Sequence, residues 1–139
     1  MNDSGVAESM QALCEELLAA HQRLDPDAIK RFYAEQPDGI YFWERALVYD
    51  HAEIVATIGA ISTSVAALEL TPGAFRAGGS GDTGWFAVTF HAKRTLPDGR
   101  EFELDGRLTA ITRRIDGRWQ IVHDHASIPL PQKPWEREP

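Results

Sequence analysis

Residues 102–127 read FELDGRLTAITRRIDGRWQIVHDHAS, and this stretch decides the fold. Two runs of alternating character flank Asp116-Gly117. An Asp-Gly pair between such runs marks a tight hairpin, because both central residues of the favoured two-residue turn need positive φ. With that turn, Ile115 faces Arg118, Ile111 faces Val122, Thr109 faces Asp124 and Arg107 faces Ala126. Cross-strand partners share one side of a sheet. One face is therefore expected to carry Arg107, Thr109, Ile111, Val122, Asp124 and Ala126. The other is expected to carry Leu108, Ala110, Thr112, Trp119, Ile121, His123 and His125. A slip of one residue would exchange the faces of one strand.

Period-two patterning extends backwards from this hairpin to about residue 66. Residues 85–96 read as a long strand closed by Pro97-Asp98-Gly99. Residues 66–77 read as a strand interrupted at Thr71-Pro72-Gly73, and Gly78-Gly79-Ser80-Gly81-Asp82 reads as a turn. Upstream the period is helical. Met10, Leu13, Cys14, Leu17, Leu18 and Leu24 form one apolar face. Asp25-Pro26 restarts the chain as a capped second helix carrying Ile29, Phe32 and Tyr33, and Pro37-Asp38-Gly39 ends it. Residues 40–43 and 46–49 are aromatic or β-branched and read as short strands. Asp50-His51-Ala52-Glu53 resembles a capping box before a helix striped by Ile54, Ile58, Ile61 and Val65. The small residues Ala56, Gly59 and Ala60 are expected to let that helix lie close to a sheet. The predicted class is α+β: a cone-shaped, curved antiparallel sheet with three N-terminal helices packed on its concave face.

The 139 residues suit one domain, residues 1–139, ending in a Pro-rich extended tail over 129–139. A chain 43% hydrophobic and 25% charged has material for a real core. The net charge of −7 argues against nucleic acid and against a bare anionic membrane as partners. One cysteine, Cys14, excludes an intrachain disulfide and a polythiolate zinc site. The N-terminus lacks the basic start and apolar run of a secretory signal, so a cytoplasmic location is expected.

The segment Asp116-Gly117-Arg118-Trp119-Gln120-Ile121-Val122-His123-Asp124-His125-Ala126-Ser127 resembles the closing hairpin of SnoaL-like proteins of the nuclear transport factor 2-like superfamily. It is also similar to the association domain of calcium/calmodulin-dependent protein kinase, and the superfamily includes ketosteroid isomerases, scytalone dehydratase and polyketide cyclases. The resemblance implies a conical pocket between helices and sheet, and a homodimer formed through the sheet. It also implies that the last strand lines the pocket at Val122, Asp124 and Ala126. The oxyanion-hole acid of the isomerases falls near Thr109, and their general base falls near Phe42-Trp43-Glu44.

Asp124 and His91 are the candidate catalytic residues. A carboxyl in a dry pocket can move a proton, and histidine titrates near neutral pH. Arg107 is the expected partner of Asp124, with Thr109 beside it; the alternative for this group is a purely structural ion pair. Whether His91 joins the pocket depends on the loop length of its hairpin. Tyr33, Trp43 and Trp85 are candidates to line the mouth, with Val122 and Ala126 deeper in; the alternative for the aromatics, and the more frequent one at this spacing, is plain core. Trp119, Ile121, His123 and His125 are expected at a dimer interface. His123 and His125 alternate, but their partners offer no further ligand, so no metal is expected. The expected function is binding of a small apolar or polyketide-like molecule, extending to cofactor-independent acid/base chemistry of isomerase, cyclase or dehydratase type. The alternative is a non-catalytic homodimerisation module.

Overall fold

Capping residues set the start of each helix. The computed structural model describes residues 3–35, 39–43 and 50–128. Asp3 accepts the Gly5 N–H at 2.8 Å and begins α1, Ser4–Gln22. The Asp3 N–H itself donates to the Gly79 carbonyl at 2.8 Å, tying the helix start to the sheet. Asp25 accepts the Ala28 N–H at 3.1 Å ahead of the short α2, Pro26–Lys30. Asp50 accepts the Glu53 N–H at 2.8 Å ahead of α3, His51–Ser64. An N-cap of this kind is worth about 1 kcal/mol, since it satisfies one otherwise unpaired helix donor.

The strands are β1 (Ile40–Phe42), β2 (Ala67–Ser80), β3 (Thr83–Thr95), β4 (Glu101–Ile115) and β5 (Arg118–Ser127). They form one sheet in the order β1-β5-β4-β3-β2. The four long strands are antiparallel, and β1 joins the β5 edge in parallel. The first hairpin turns only at Gly81-Asp82, because Gly78, Gly79 and Ser80 extend β2 by pairing with Trp85, Gly84 and Thr83.

Two irregularities bend the sheet. One lies between Pro72 and Phe75. Pro72 has no N–H to give to a ladder, and the Thr89 hydroxyl accepts the nearby Ala74 N–H at 2.9 Å. The second lies in β5 at Val122. Bulges add twist and bend the strand that carries them, and this is how an antiparallel sheet becomes a cone.

The helices cover one face. Val6, Met10, Leu13, Cys14, Leu17 and Leu18 of α1 are buried with Ile29, Ile54, Ile58, Phe86, Val88, Leu108, Ala110 and Ile121. The expected role of Ala56, Gly59 and Ala60 is corrected. Ala56 and Ala60 are exposed and Gly59 meets nothing, so the inward contact of α3 is made by Ile54 and Ile58. The strand expected over 46–49, Glu44, and the tail over 129–139 lie outside the described residues. No described helix is long and apolar enough to cross a membrane.

Candidate functional site

The two-residue turn at Asp116-Gly117 forms as expected, and pairing runs from Ile115↔Arg118 to Thr112↔Ile121 in the expected register. Val122 is then left over, and Ile111 pairs with His123. From there every pair is shifted by one: Ala110↔Asp124, Thr109↔His125, Leu108↔Ala126 and Arg107↔Ser127. Because side chains alternate, one extra residue exchanges the faces of everything beyond it. Asp124 and Ala126 thus share the helix-covered face with Leu108, Ala110 and Thr112. Trp119 and Ile121, before the bulge, lie on that same covered side.

Asp124 is fully buried. Tyr33 donates its hydroxyl to Oδ2 at 2.8 Å, and the Trp43 indole N–H donates to Oδ1 at 2.9 Å. Both donors are placed by short backbone pairings onto β5. The Ala34 N–H donates to the Ile121 carbonyl at 2.9 Å and the Ile121 N–H to the Phe32 carbonyl at 2.6 Å, which pins Tyr33 beside the bulge. Trp43 follows β1, where Tyr41 is in register with Asp124 and Phe42 with His125. The Tyr33 ring meets Tyr41 and Trp43 edge-on at 5.3 and 6.3 Å.

Burial pushes the Asp124 carboxyl up from 3.8 to about 6, against the opposing pull of the Tyr33 and Trp43 hydrogen bonds and of nearby His123. Loss of water disfavours the charged form, and two neutral donors return only part of that cost. Burial, followed by the neighbouring Asp124, raises Tyr33 well above its ordinary value, so its phenol stays protonated. The pair is a carboxyl poised near neutrality behind a neutral hydroxyl, a common arrangement in acid/base sites.

Tyr33 and Trp43 also form part of the wall of a cavity of about 120 Å³. The rest of its lining is mostly aliphatic, including Leu17, Ile61, Leu70, Leu108 and Ala126, with Phe90. Two further polar residues line it, His21 and Arg94. Burial first, and the Arg94 charge second, push the His21 imidazole down from 6.5 to about 4, so it is neutral at physiological pH. His21 went unread in the sequence although its signal was present: it continues the Cys14, Leu17, Leu18 stripe of α1 at helical spacing.

A sequence model of the SnoaL-like domain matches residues 10–131. The chain belongs to the SnoaL-like family. No curated protein matches it. Among solved structures, it is similar to a nuclear transport factor 2-like superfamily protein from Salmonella enterica serovar Typhimurium. That match has 19% identity, 97% coverage of this chain, 99% of the other and a TM-score of 0.84. A protein from Streptomyces avermitilis, provisionally assigned as a dehydratase of the same superfamily, matches at 16% identity, with 88% and 95% coverage and a TM-score of 0.78. A provisionally assigned calcium/calmodulin-dependent protein kinase II association domain from Xanthomonas campestris matches at 20% identity, 90% and 88% coverage and a TM-score of 0.76. At these identities the likeness establishes the nuclear transport factor 2-like fold.

Within this SnoaL-like domain several expected site residues lie elsewhere. Arg107 and Thr109 are exposed on the uncovered face, and Arg107 donates Nε–H to the Ser127 hydroxyl at 2.8 Å. β4 alternates without a break and keeps them on the face of Ile111; the Val122 bulge in β5 turns Asp124 to the opposite face, so Asp124 has no arginine partner. His91 is exposed on that same outer face, its ring nitrogens 2.9 Å from Asp105 and 3.3 Å from Glu103. Hydrogen bonding to Asp105, then to Glu103, raises its pKa. His91 is therefore not a counterpart of Asp124. Trp85 pairs with Ile111 on the outer face and is 38% exposed, away from the cavity.

The expected interface set is split as well. Ile121 is buried under the helices. Trp119 lies beneath the Arg114 guanidinium, 4.7 Å from its ring centroid, and lines a groove with Leu13, Ala28 and Phe32. Only His123 and His125 face outward, where Phe42 packs edge-on against both rings. The His123 Nδ1–H donates to the Ile40 carbonyl at 2.8 Å. Val122, the unpaired bulge residue, is half-buried and does not line the cavity; Ala126 does. Among the described residues no group of three His, Cys, Asp or Glu side chains is arranged to hold a metal ion.

Proposed function

We propose that this SnoaL-like protein binds a small apolar molecule in the cavity beside Tyr33 and Trp43 and performs cofactor-independent acid/base chemistry on it. The observation that carries this reading is the fully buried Asp124, raised to about 6, whose two hydrogen-bond donors are themselves cavity wall. The Tyr33 oxygen takes a proton from the bound molecule while its own O–H breaks and a new O–H forms on Asp124 Oδ2. The carboxyl is then neutral and the ligand is an anion. Returning the proton to a different atom is isomerisation; expelling a hydroxide leaving group is dehydration; closing onto an internal carbonyl is cyclisation. A general base near ambient pH suits such a step. The provisionally assigned dehydratase among the structural neighbours supports the same class.

The test is thermal-shift screening of small apolar carbonyl compounds, followed by deuterium exchange at their acidic C–H groups in D2O, read by NMR. The expected result is stabilisation of the wild type by some of them, abolished by the cavity-filling Ala126→Phe, with exchange lost in Asp124→Asn and Tyr33→Phe. Exchange by Asp124→Asn at the wild-type rate would remove the proposed chemistry.

A second reading, a homodimeric association module, rests on a different observation. Ile40, His123, Ile111 and Trp85 form a row across four strands of the uncovered face, and Ile40, Ile111 and Trp85 are each about 40% exposed. Exposed apolar rows of this kind mark interfaces. Sedimentation of the wild type against Trp85→Glu tests it: a dimer dissociated by the charge supports the reading, and a monomeric wild type rejects it.

A further inference from the structure

The cavity is lined by ten apolar side chains and only four with polar groups, His21, Tyr33, Trp43 and Arg94. The Tyr33 O–H and the Trp43 N–H are committed to Asp124. Arg94 has a partner of its own. His21 is the remainder: it is half-buried, no hydrogen bond joins its ring to a described residue, and no buried side-chain nitrogen or oxygen among those residues lacks a partner, so its ring nitrogens are accessible where it lines the cavity.

A neutral imidazole carries one N–H donor and one lone-pair acceptor. Placed in an apolar lining with no protein partner, it fits a ligand hydroxyl, which both donates and accepts and so matches either tautomer. Its place on α1 argues against a packing role. Positions 10, 14, 17 and 18 of the same stripe are Met, Cys, Leu and Leu, all buried, whereas half-buried His21 puts an imidazole into the apolar lining of the cavity.

Size narrows the ligand further. About 120 Å³ limits the ligand to a single small ring, since a dry cavity of about 150 Å³ accepts benzene. Phe90 lines the cavity with its ring packed closely over the backbone of Gly106, where a Cβ would meet the ring.

From these observations we infer that the cavity selects a small hydroxyl-bearing ring compound of the phenol class, its hydroxyl hydrogen-bonded to His21 and its ring among Leu17, Leu70, Phe90 and Leu108. The inference rests on the cavity proposed above as the binding site and names what that cavity prefers. The same contact gives directionality, because it fixes which end of the ring is turned toward His21 and which toward Tyr33.

The experiment is a binding cycle with two probes, phenol and toluene, titrated by NMR into wild type, His21→Leu and His21→Gln. Leaving a buried partner unpaired costs about tenfold or more in affinity. His21→Leu is therefore expected to weaken phenol about tenfold while leaving toluene unchanged or tighter, and His21→Gln, which keeps a donor and an acceptor, is expected to restore phenol. In the wild type the His21 ring ¹⁵N resonances should move with phenol and not with toluene; this reading needs no variant to fold. Toluene binding with phenol affinity indifferent to His21→Leu, and unmoved ring resonances, would overturn the inference and leave the cavity standing. Failure of both probes to bind the wild type would overturn this inference and the proposed binding site together.

Discussion

Replacing Asp124 by Asn should change how stability depends on pH more than it changes stability at any one pH. A carboxyl raised from 3.8 unfolded to about 6 folded binds its proton more tightly in the native state. Between those two values the folded protein holds more protons than the unfolded chain, so stability falls as pH rises. The size is about 3 kcal/mol over the window, at about 1.4 kcal/mol per tenfold change in proton affinity. His21 acts in the opposite sense. It is lowered from 6.5 to about 4, so the unfolded chain holds more protons there, and stability rises with pH by a similar amount, about 3 kcal/mol. In the wild type the two contributions nearly cancel between pH 4 and 6. Asp124→Asn removes one of them. Its unfolding free energy minus that of the wild type, from urea denaturation at pH 3.5 to 7.5, should therefore rise by about 3 kcal/mol across pH 4 to 6 and be level above it. His21→Leu should give a difference that falls by a similar amount. A flat difference for Asp124→Asn would mean that the carboxyl has an ordinary affinity for its proton and is not desolvated; a falling one would mean that its hydrogen bonds outweigh its burial. Either result refutes the reasoning.

Three further outcomes follow from named contacts. Tyr33→Phe deletes the donor to Asp124 Oδ2 and should cost about 1.5–3 kcal/mol at pH 7.5, where the carboxylate is charged, and less at pH 4; chemical denaturation at both pH values measures it. Gly106→Ala places a methyl against the Phe90 ring; over-packing of that kind costs about 1–3 kcal/mol, seen as a lowered Tm, and the paired change Gly106→Ala with Phe90→Leu should recover part of it. Cys14 is buried and its thiol is pushed up to about 11; a thiol reagent at pH 8 should label it only on unfolding, and rapid labelling of the native protein would contradict its place in the core.

The residues alone settled the order of the described elements, the hairpin at Asp116-Gly117 and the helix caps at Asp25 and Asp50, because these depend on local chemistry: positive φ in a turn, orphan N–H groups at a helix start, and side-chain periodicity. They also pointed to the SnoaL-like ending. The partners of Asp124 were another matter. Counting from the turn predicted Arg107 and Thr109, and the count held for four pairs. It failed at Val122 because a bulge is set by how the sheet must curve over α1 and its neighbours, which is a long-range demand with no local signature in a run of Ile, Val and His. One unpaired residue then turned Asp124 away from Arg107 and Thr109, which stay on the outer face, and gave it a tyrosine 91 positions away and a tryptophan 81 positions away. Local pattern fixes which elements form; which polar groups meet inside is decided by the sum of the elements' curvature and register, and only the folded chain carries that sum.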